Sequence, residues 1–214
     1  MRHKIILADD HEIVLQGLRR ILEPEFEIAA TASDGRELVA EIERLKPEVA
    51  VADISMPLLN GLDALRQCKS TRIRTRFVFL TANPDVALAT QAFRLGASGY
   101  VLKHAAAEEL VVAIHEALAG RTYITPRIAN EVLQNLMSRP TDTVKDGNSL
   151  TSREREVLQL LAEGKIVKEI AAILNISPRT VEFHKNNVAV KTGLRTTAEL
   201  ARYAVRHGLV SESG

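Results

Sequence analysis

The sequence predicts two domains, an α/β domain with a parallel sheet over residues 1–120 and an all-helical domain over residues 149–214. In the first segment, short apolar runs alternate five times with helical patterns, which is typical of a parallel sheet covered by helices on both faces. A polar stretch with Pro140 and Gly147 follows, and beyond it the pattern is wholly helical. A chain of 214 residues, 46% of them hydrophobic and 26% charged, is long and apolar enough for two globular domains.

The first segment is expected to alternate strands and helices in order along the chain. The five strands are predicted at residues 4–8, 26–31, 49–52, 77–81 and 99–102. The five helices are predicted at about 12–23, 35–46, 61–70, 84–95 and 107–119. Asn83 and Pro84 have the composition of an N-cap and a first-turn proline, so the fourth helix is expected to begin there. Gly96 and Gly120 stand where the fourth and fifth helices are expected to end.

The second segment is divided by capping signals into four short helices. They are predicted at about 152–163, 166–174, 178–191 and 197–207. Capping boxes begin at Thr151 and Thr196, and Ser177 precedes a proline at the start of the third helix. The middle pair has the dimensions of a helix-turn-helix. Between the domains, residues 121–148 are expected to form a connecting helix, up to about residue 138, and then a flexible linker.

Acidic residues stand where two of the predicted strands end. Asp53 follows the apolar run 49–52, which has the composition of an inner strand, and Asp9 and Asp10 follow the first strand. In open parallel sheets, ligands bind at the carboxyl ends of the strands. If the first and third strands are neighbours, the three carboxylates converge and repel one another unless a cation joins them. Mg²⁺ meets that need, because it prefers oxygen ligands and keeps positions free for a phosphate group.

Two further polar residues are expected at the same edge of the sheet. Thr81 ends the fourth strand, and Lys103 follows the fifth. A hydroxyl, an ammonium and a metal around one carboxylate can meet the charge of a phosphoryl group that is transferred to Asp53. These residues therefore predict that Asp53 is a phosphoacceptor and that its phosphorylation depends on Mg²⁺.

The first half of the chain resembles the receiver domain of two-component response regulators. The motifs that carry this resemblance are Asp9–Asp10, Asp53-Ile-Ser-Met-Pro57, Asn60–Gly61, Thr81–Ala82 and Gly99-Tyr-Val-Leu-Lys103. The second half resembles the LuxR-type helix-turn-helix domain. Its matching motifs are Leu150-Thr-Ser-Arg-Glu-Arg-Glu-Val-Leu158, Lys168-Glu-Ile-Ala171, Ser177, Thr180–Val181, His184 and Lys191. The two parts in this order are similar to the NarL/FixJ class of response regulators.

The resemblance implies a doubly wound, flavodoxin-like receiver with strand order 2-1-3-4-5, and a phosphohistidine of a sensor histidine kinase as the phosphoryl donor. It implies that Thr81 and Tyr100 reorient when the phosphoryl group arrives. The implied metal ligands are Asp10, Asp53 and the backbone carbonyl of Ser55, with Asp9 assisting through water. The sequence departs from the receiver pattern at His104, a position where many receivers have proline. A cis bond before a non-proline residue costs about 2.5 to 4 kcal/mol, so the peptide geometry between Lys103 and His104 stays open here.

The third helix of the second domain is the expected reader of double-stranded DNA. Val181 and Val188 are seven residues apart and should face the small core. The residues expected to face bases are Glu182, Phe183, Asn186 and Asn187. Those better suited to phosphates are Arg179, Thr180, Lys185 and Lys191. The charge balance has the sign expected if the second domain binds DNA. Residues 1–120 carry 14 basic against 17 acidic residues, whereas residues 149–214 carry 10 basic against 7 acidic residues.

Two rival functions stay open at this point. A Mg²⁺-dependent phosphohydrolase of the haloacid-dehalogenase type also uses an Asp nucleophile at a strand end, but it usually has a second Asp two residues later, where this chain has Ser55. The other rival is a regulator that works without phosphorylation, and the set of acidic, hydroxyl and ammonium groups argues against it. We therefore expect no enzyme activity beyond the protein's own phosphoryl transfer and slow autodephosphorylation, and a homodimer on phosphorylation.

The sequence predicts a cytoplasmic protein without a membrane partner. No apolar stretch approaches the roughly 20 residues needed to cross a bilayer, and the first apolar run stops at Asp9. A single cysteine, Cys68, cannot form an internal disulfide, which fits a reducing compartment. The six histidines lack metal-ligand spacing, so a zinc site is not expected.

Overall fold

The structure is a computed structural model that describes residues 2–82, 84–104, 107–137, 150–194 and 196–210. The chain forms two compact units, residues 1–139 and 140–214. The strands of the first unit are β1 Lys4–Ala8, β2 Glu27–Ala32, β3 Val49–Ala52, β4 Arg76–Thr81, β5 Gly99–Leu102 and β6 Tyr123–Ile124. Its helices are α1 Glu12–Leu22, α2 Gly35–Leu45, α3 Gly61–Ser70, α4 Val86–Arg94, α5 Ala107–Leu118 and α6 Pro126–Met137. The second unit contains α7 Ser152–Ala162, α8 Val167–Leu174, α9 Pro178–Thr192 and α10 Thr197–Arg206.

The sheet of the first unit is parallel and has the order β2-β1-β3-β4-β5-β6. The predicted order of the first five strands is therefore confirmed. Strand residues alternate between two apolar cores, so Ile5 and Leu7 of β1 pack on one face while Ile6 and Ala8 pack on the other. Because both faces are covered, all four residues of β3 are buried.

The sixth strand was not predicted, and it changes the start of the expected connecting helix. Residues 121–138 were expected to be helical, but Tyr123 and Ile124 pair with β5, and α6 begins only at Pro126. The backbone N–H of Thr125 donates to the carbonyl of Tyr100 over 3.0 Å. Two residues are too few for an alternating pattern, so only the partner strand makes this segment a strand. The expected linker at 138–148 lies outside the described residues.

Helix α6 packs against the rest of the first unit. Its buried residues Ile128 and Val132 join the apolar core on the α4 side of the sheet. A side-chain nitrogen of Arg94, the last residue of α4, donates to the carbonyl of Asn135 over 3.1 Å. Helix α6, which was expected to connect the two domains, therefore packs as part of the first compact unit.

The start of α4 also differs from the prediction. The carboxylate of Asp85 accepts hydrogen bonds from Ala87 N, at 2.7 Å, and Leu88 N, at 3.1 Å. Asp85 is thus the N-cap, two residues after the expected Asn83, which lies outside the described residues. A carboxylate is well suited to this position, because it accepts the free N–H groups and meets the positive end of the helix dipole.

The four predicted helices of the second unit are confirmed, with their caps. Thr151 and Thr196 each form a capping box, and the side chain of Ser177 accepts from Thr180 N over 3.1 Å. Asn175 ends α8 with a φ of 51°, in the left-handed region that asparagine tolerates. One cluster of its core consists of Leu158, Val188, Leu200, Ala204 and Leu209. Among the described residues, no helix of either unit is long and apolar enough to cross a membrane.

Candidate functional site

The strand order brings the predicted acidic residues together at the carboxyl edge of the sheet. The N–H of Asp53 donates to the carbonyl of Ala8, the last residue of the neighbouring β1, over 2.8 Å. Asp9 therefore follows β1 beside the point where Asp53 follows β3. On the other side, Lys103 N donates to Thr81 O over 2.7 Å, so the residue after β5 is held against the end of β4.

The ammonium of Lys103 joins the two buried carboxylates of the site. Its Nζ lies 2.6 Å from Asp9 Oδ2 and 2.8 Å from Asp53 Oδ2. Asp9 is 1% exposed and Asp53 is 7% exposed. The second oxygen of Asp53, Oδ1, accepts a hydrogen bond from Ile54 N over 2.6 Å and a longer one from Ser55 N over 3.4 Å. The carboxylate of Asp53 is thus held from both sides, by the backbone and by an ammonium.

Burial and the charge of the partner have opposite effects on the pKa of Asp53 and on the pKa of Lys103. Burial raises the pKa of Asp53, and the hydrogen bond and charge of Lys103 offset this only in part, while the neighbouring charge of Asp9 adds to the rise. Burial alone would lower the pKa of Lys103, but its hydrogen bonds to Asp53 and Asp9 outweigh that effect and raise it. Lys103 therefore stays charged at neutral pH and stabilises both carboxylates.

Asp10 and His11 extend the site toward solvent. Nδ1 of His11 lies 2.8 Å from Asp10 Oδ1 and 3.3 Å from Asp9 Oδ1. The possible ligand atoms of Asp9, Asp10 and His11 all lie within 4.8 Å of one another. Asp53 lies outside this group of three and is linked to Asp9 through the ammonium of Lys103. His11 was not among the predicted ligands, although it directly follows the acidic pair.

The donor set fits a hard divalent cation. Three carboxylates, those of Asp9, Asp10 and Asp53, meet only one ammonium, that of Lys103, which leaves a formal charge of about −2 when His11 is neutral. Carboxylate oxygens are the ligands that Mg²⁺ prefers, and it usually takes one or two of them. The residues present are therefore suited to hold Mg²⁺ beside Asp53.

The predicted switch residues lie in the interior beside the site. Tyr100 is fully buried in β5, and burial raises the pKa of its hydroxyl, with the charges of Asp85 and Asp53 adding to the effect. The hydroxyl makes a long hydrogen bond, 3.5 Å, to the backbone carbonyl of Asp85, the N-cap of α4. Thr81 is 4% exposed at the end of β4. These contacts connect the strand before Lys103 to the start of α4.

The exposed face of α9 carries most of the residues predicted to contact bases. Val181 and Val188 are fully buried, as expected, so the opposite face of α9 points to solvent. The exposed residues recur three or four positions apart and so share one face of the helix. Apart from Pro178 at the helix start, they are Arg179, Glu182, Phe183, Asn186 and Val190. Val190, which is 82% exposed, was not predicted, although its spacing of four from Asn186 places it on the same face.

Comparison with known proteins finds the same two parts. Residues 5–115 match the family described as "Response regulator receiver domain", and residues 148–204 match "Bacterial regulatory proteins, luxR family". This chain belongs to the LuxR-type response regulators. It is thus a DNA-binding transcriptional regulator of the two-component type, as the sequence motifs predicted.

Relatives of this response regulator match it along nearly the whole chain. Transcriptional regulatory protein MctR of Rhizobium johnstonii is 34% identical over 213 residues, which cover 99% of this chain and 97% of MctR. Oxygen regulatory protein NreC of Staphylococcus aureus is 36% identical over 214 residues, which cover 97% of this chain and 99% of NreC. Both parts of the response regulator therefore occur in the same arrangement in these relatives.

Solved structures resemble the response regulator in fold. A LuxR-family two-component response regulator from Aurantimonas has 36% identity and a TM-score of 0.60, covering 63% of this chain and 98% of that one. RcsB of Salmonella enterica, solved bound to a promoter in the presence of phosphomimetic BeF3−, has 28% identity and a TM-score of 0.59. That match covers 95% of this chain and 98% of RcsB.

Two predicted DNA contacts of the response regulator form ion pairs that were not foreseen. Lys191 Nζ lies 2.6 Å from Oε2 of Glu154, which is 3% exposed. Burial alone would raise the pKa of Glu154, but hydrogen bonds from Lys191 and Thr151 outweigh it and lower the pKa. Lys185 lies 3.6 Å from Glu182 on the exposed face. Glu154 is 37 positions before Lys191, so no local pattern could have predicted their contact.

The backbone of the response regulator settles the geometry after Lys103. No cis peptide bond occurs among the described residues, so the bond between Lys103 and His104 is trans. A trans bond agrees with the cost of the cis form before a non-proline residue. His104 Nε2 lies 3.3 Å from a side-chain nitrogen of Arg127 in α6.

Proposed function

We propose that this response regulator accepts a phosphoryl group on Asp53 from a sensor histidine kinase, in a reaction that depends on Mg²⁺. The observation that carries the proposal is the setting of Asp53. It follows an inner strand, its Oδ1 is held by Ile54 N, and its Oδ2 faces Lys103 Nζ at 2.8 Å. A fixed carboxylate beside a cation is suited to attack a phosphoryl group and to stabilise the added charge.

In the transfer, a carboxylate oxygen of Asp53 forms a bond to phosphorus while the bond from phosphorus to the kinase histidine nitrogen breaks. The released imidazole nitrogen takes up a proton. The residues proposed to hold Mg²⁺ are Asp10, Asp53 and the backbone carbonyl of Ser55, with Asp9 assisting through water, and the ion would supply positive charge beside the phosphoryl oxygens. Lys103, which contacts Asp9 and Asp53 before the reaction, is close enough to pair with a phosphoryl oxygen afterwards. The hydroxyl of Thr81 at the same edge would donate to another.

Labelling with acetyl phosphate tests the acceptor. Asp53→Asn should abolish the label that base and hydroxylamine release, because an amide oxygen is a poor nucleophile. Asp34→Asn is a matched control: Asp34 caps α2, and asparagine caps a helix about as well as aspartate. The control should label like the wild type. Label retained by Asp53→Asn would refute the assignment, and undiminished labelling in excess EDTA would refute the Mg²⁺ requirement.

We infer that phosphorylation shifts an existing equilibrium toward a dimer that binds DNA. A ligand changes such an equilibrium only as far as it stabilises one state more than the other. The rearrangement would begin at Lys103, Thr81 and Tyr100 and reach α4 through Asp85, whose backbone carbonyl accepts from the Tyr100 hydroxyl. Sedimentation of the full-length chain with and without acetyl phosphate measures the shift. Equal mass and equal DNA affinity in both conditions would contradict it.

The exposed face of α9 is the proposed DNA-reading surface, by its exposure and its place in the helix-turn-helix. The residues proposed to face bases are Glu182, Phe183, Asn186 and Asn187. Those proposed to contact phosphates are Arg179, Thr180 and Lys185. Lys191 has a different proposed role, because its ammonium pairs with the buried Glu154 and supports the position of α9 against α7. A dimer would read two inverted half-sites.

A further inference from the structure

A cavity of about 540 Å³ opens at the amino edge of the receiver sheet, opposite the edge that carries Asp53. Its walls come from the turn between α2 and β3 and from the connection between α3 and β4. Two hydrogen bonds join these loops: Thr75 Oγ1 donates to Pro47 O over 2.7 Å, and Arg76 N donates to Glu48 O over 3.0 Å. The cavity is therefore built from segments that hold each other in place.

The lining of the cavity is strongly basic. Lys46, Arg72, Arg74 and Arg76 stand against one acidic residue, Glu48. Lys46, Arg72 and Arg74 are exposed, and within the part of the chain that the structure describes they form no ion pair. Like charges gathered without partners repel one another, so the site is arranged to favour an anion.

The acidic residue at the rim, Glu48, offsets one of the four positive charges, and its charge acts on Arg76. Oε1 of Glu48 lies 2.7 Å from His3 Nδ1, and its Oε2 accepts a hydrogen bond from Lys4 N over 3.0 Å. Both carboxylate oxygens thus have partners at the start of β1. The guanidinium groups of Arg72 and Arg74 keep their donors free for a ligand.

Two of the basic residues hold their place in the cavity wall at the ends of helices. Lys46 has a φ of 48° and Arg72 a φ of 59°, in the left-handed region that favours glycine. Elsewhere in the described chain, five glycines, Leu58 and Asn175 take that conformation. Lys46 is the C-cap of α2, and Arg72 stands two residues after the last residue of α3, so both lie where a left-handed residue commonly ends a helix.

We propose that this cavity binds a small ligand with a diphosphate or triphosphate group. Guanidinium forks match phosphate oxygens in pairs, and the free charges of Lys46, Arg72 and Arg74 suit several phosphate charges. Pro47 and Ile73 add apolar surface to the wall, which suits the ring of a nucleotide. The volume lies within the range of about 300–1,000 Å³ that small-ligand pockets occupy. Nucleotides and inorganic pyrophosphate share this chemistry, and the experiment distinguishes them.

Isothermal titration of the full-length chain tests the site, with ADP, inorganic pyrophosphate and adenosine as probes. EDTA is present throughout, so that no metal carries phosphate to the acidic edge. The two phosphate probes should bind and adenosine should not. If ADP binds more tightly than pyrophosphate, the site is assigned to nucleotides. If the two affinities are equal, it is assigned to pyrophosphate. The double variant Arg72→Ala, Arg74→Ala should bind either probe at least about tenfold more weakly.

The matched control is Arg44→Ala, Arg121→Ala. It removes the same charge from the same unit, at exposed arginines that pair with Glu41 and Glu116. It should change affinity by less than about twofold, because exposed ion pairs contribute little. Absence of heat with both phosphate probes at millimolar concentration would overturn the proposal. So would equal loss of affinity in the two double variants, since binding would then follow net charge and not the cavity.

Discussion

Replacing Lys103 with methionine is expected to destabilise the receiver unit, because two buried carboxylates depend on this ammonium. Its Nζ lies 2.6 Å from Asp9 and 2.8 Å from Asp53, whose side chains are 1% and 9% exposed. Removing one partner of a buried ion pair typically costs about 3 to 5 kcal/mol. The side chain of Lys103 is 20% exposed, so water reduces the cost, and we expect a loss near the lower end, about 3 kcal/mol.

Urea unfolding followed by circular dichroism, in EDTA at pH 7.5, measures the loss. The control is Lys69→Met, which removes an exposed lysine from α3 and should change the unfolding free energy by less than about 0.5 kcal/mol. Mg²⁺ should restore part of the stability of Lys103→Met, because it neutralises the same carboxylates and binds only the folded chain. A loss below about 0.5 kcal/mol in EDTA would refute the reasoning.

The pH dependence provides a second check on the same variant. Burial already raises the pKa of Asp53 in the folded wild type, and without Lys103 the folded-state pKa should rise further. A folded state that binds more protons than the unfolded chain loses stability as the pH rises. The deficit of Lys103→Met relative to the wild type should therefore be small near pH 4, about the unfolded pKa of Asp, and grow toward pH 7. A deficit that shrinks as the pH rises would contradict this account.

Three further predictions follow from single contacts. Thr125→Val should cost about 1 to 3 kcal/mol in urea unfolding, because it leaves the buried N–H of Leu102, now 3.3 Å from Thr125 Oγ1, without an acceptor. Lys191→Met should destabilise the second unit by about 2 kcal/mol at pH 7. The lowered pKa of Glu154 means that the wild type loses this stability as the pH falls below about 4.5, so the two proteins should converge in acid. Glu182→Ala should raise affinity for random duplex DNA while discrimination at one base pair falls by roughly 1 to 3 kcal/mol; unchanged discrimination in a binding titration would show that Glu182 reads no base.

Local patterns predicted most of the secondary structure and the members of the acidic site. Apolar runs and capping residues are read from a few neighbouring positions, so the first five strands and the four helices of the second unit were predictable. Asp53 and Asp9 were predictable as strand ends, because parallel strands present their carboxyl ends at one edge. The strand order itself came from the resemblance to receiver domains and not from these patterns.

Contacts between distant residues decided what the sequence left open. Thr125 and β6 depend on the free edge of β5, and a two-residue strand carries no pattern of its own. Lys191 was predicted to contact phosphates, and only the fold places its ammonium beside Glu154, 37 positions earlier. In the same way, Lys103 was expected near Asp53, but only the packed structure shows one ammonium shared by Asp53 and Asp9. Periodicity and capping act within a turn or two of chain, whereas pairing of buried charges depends on which surfaces tertiary packing brings together.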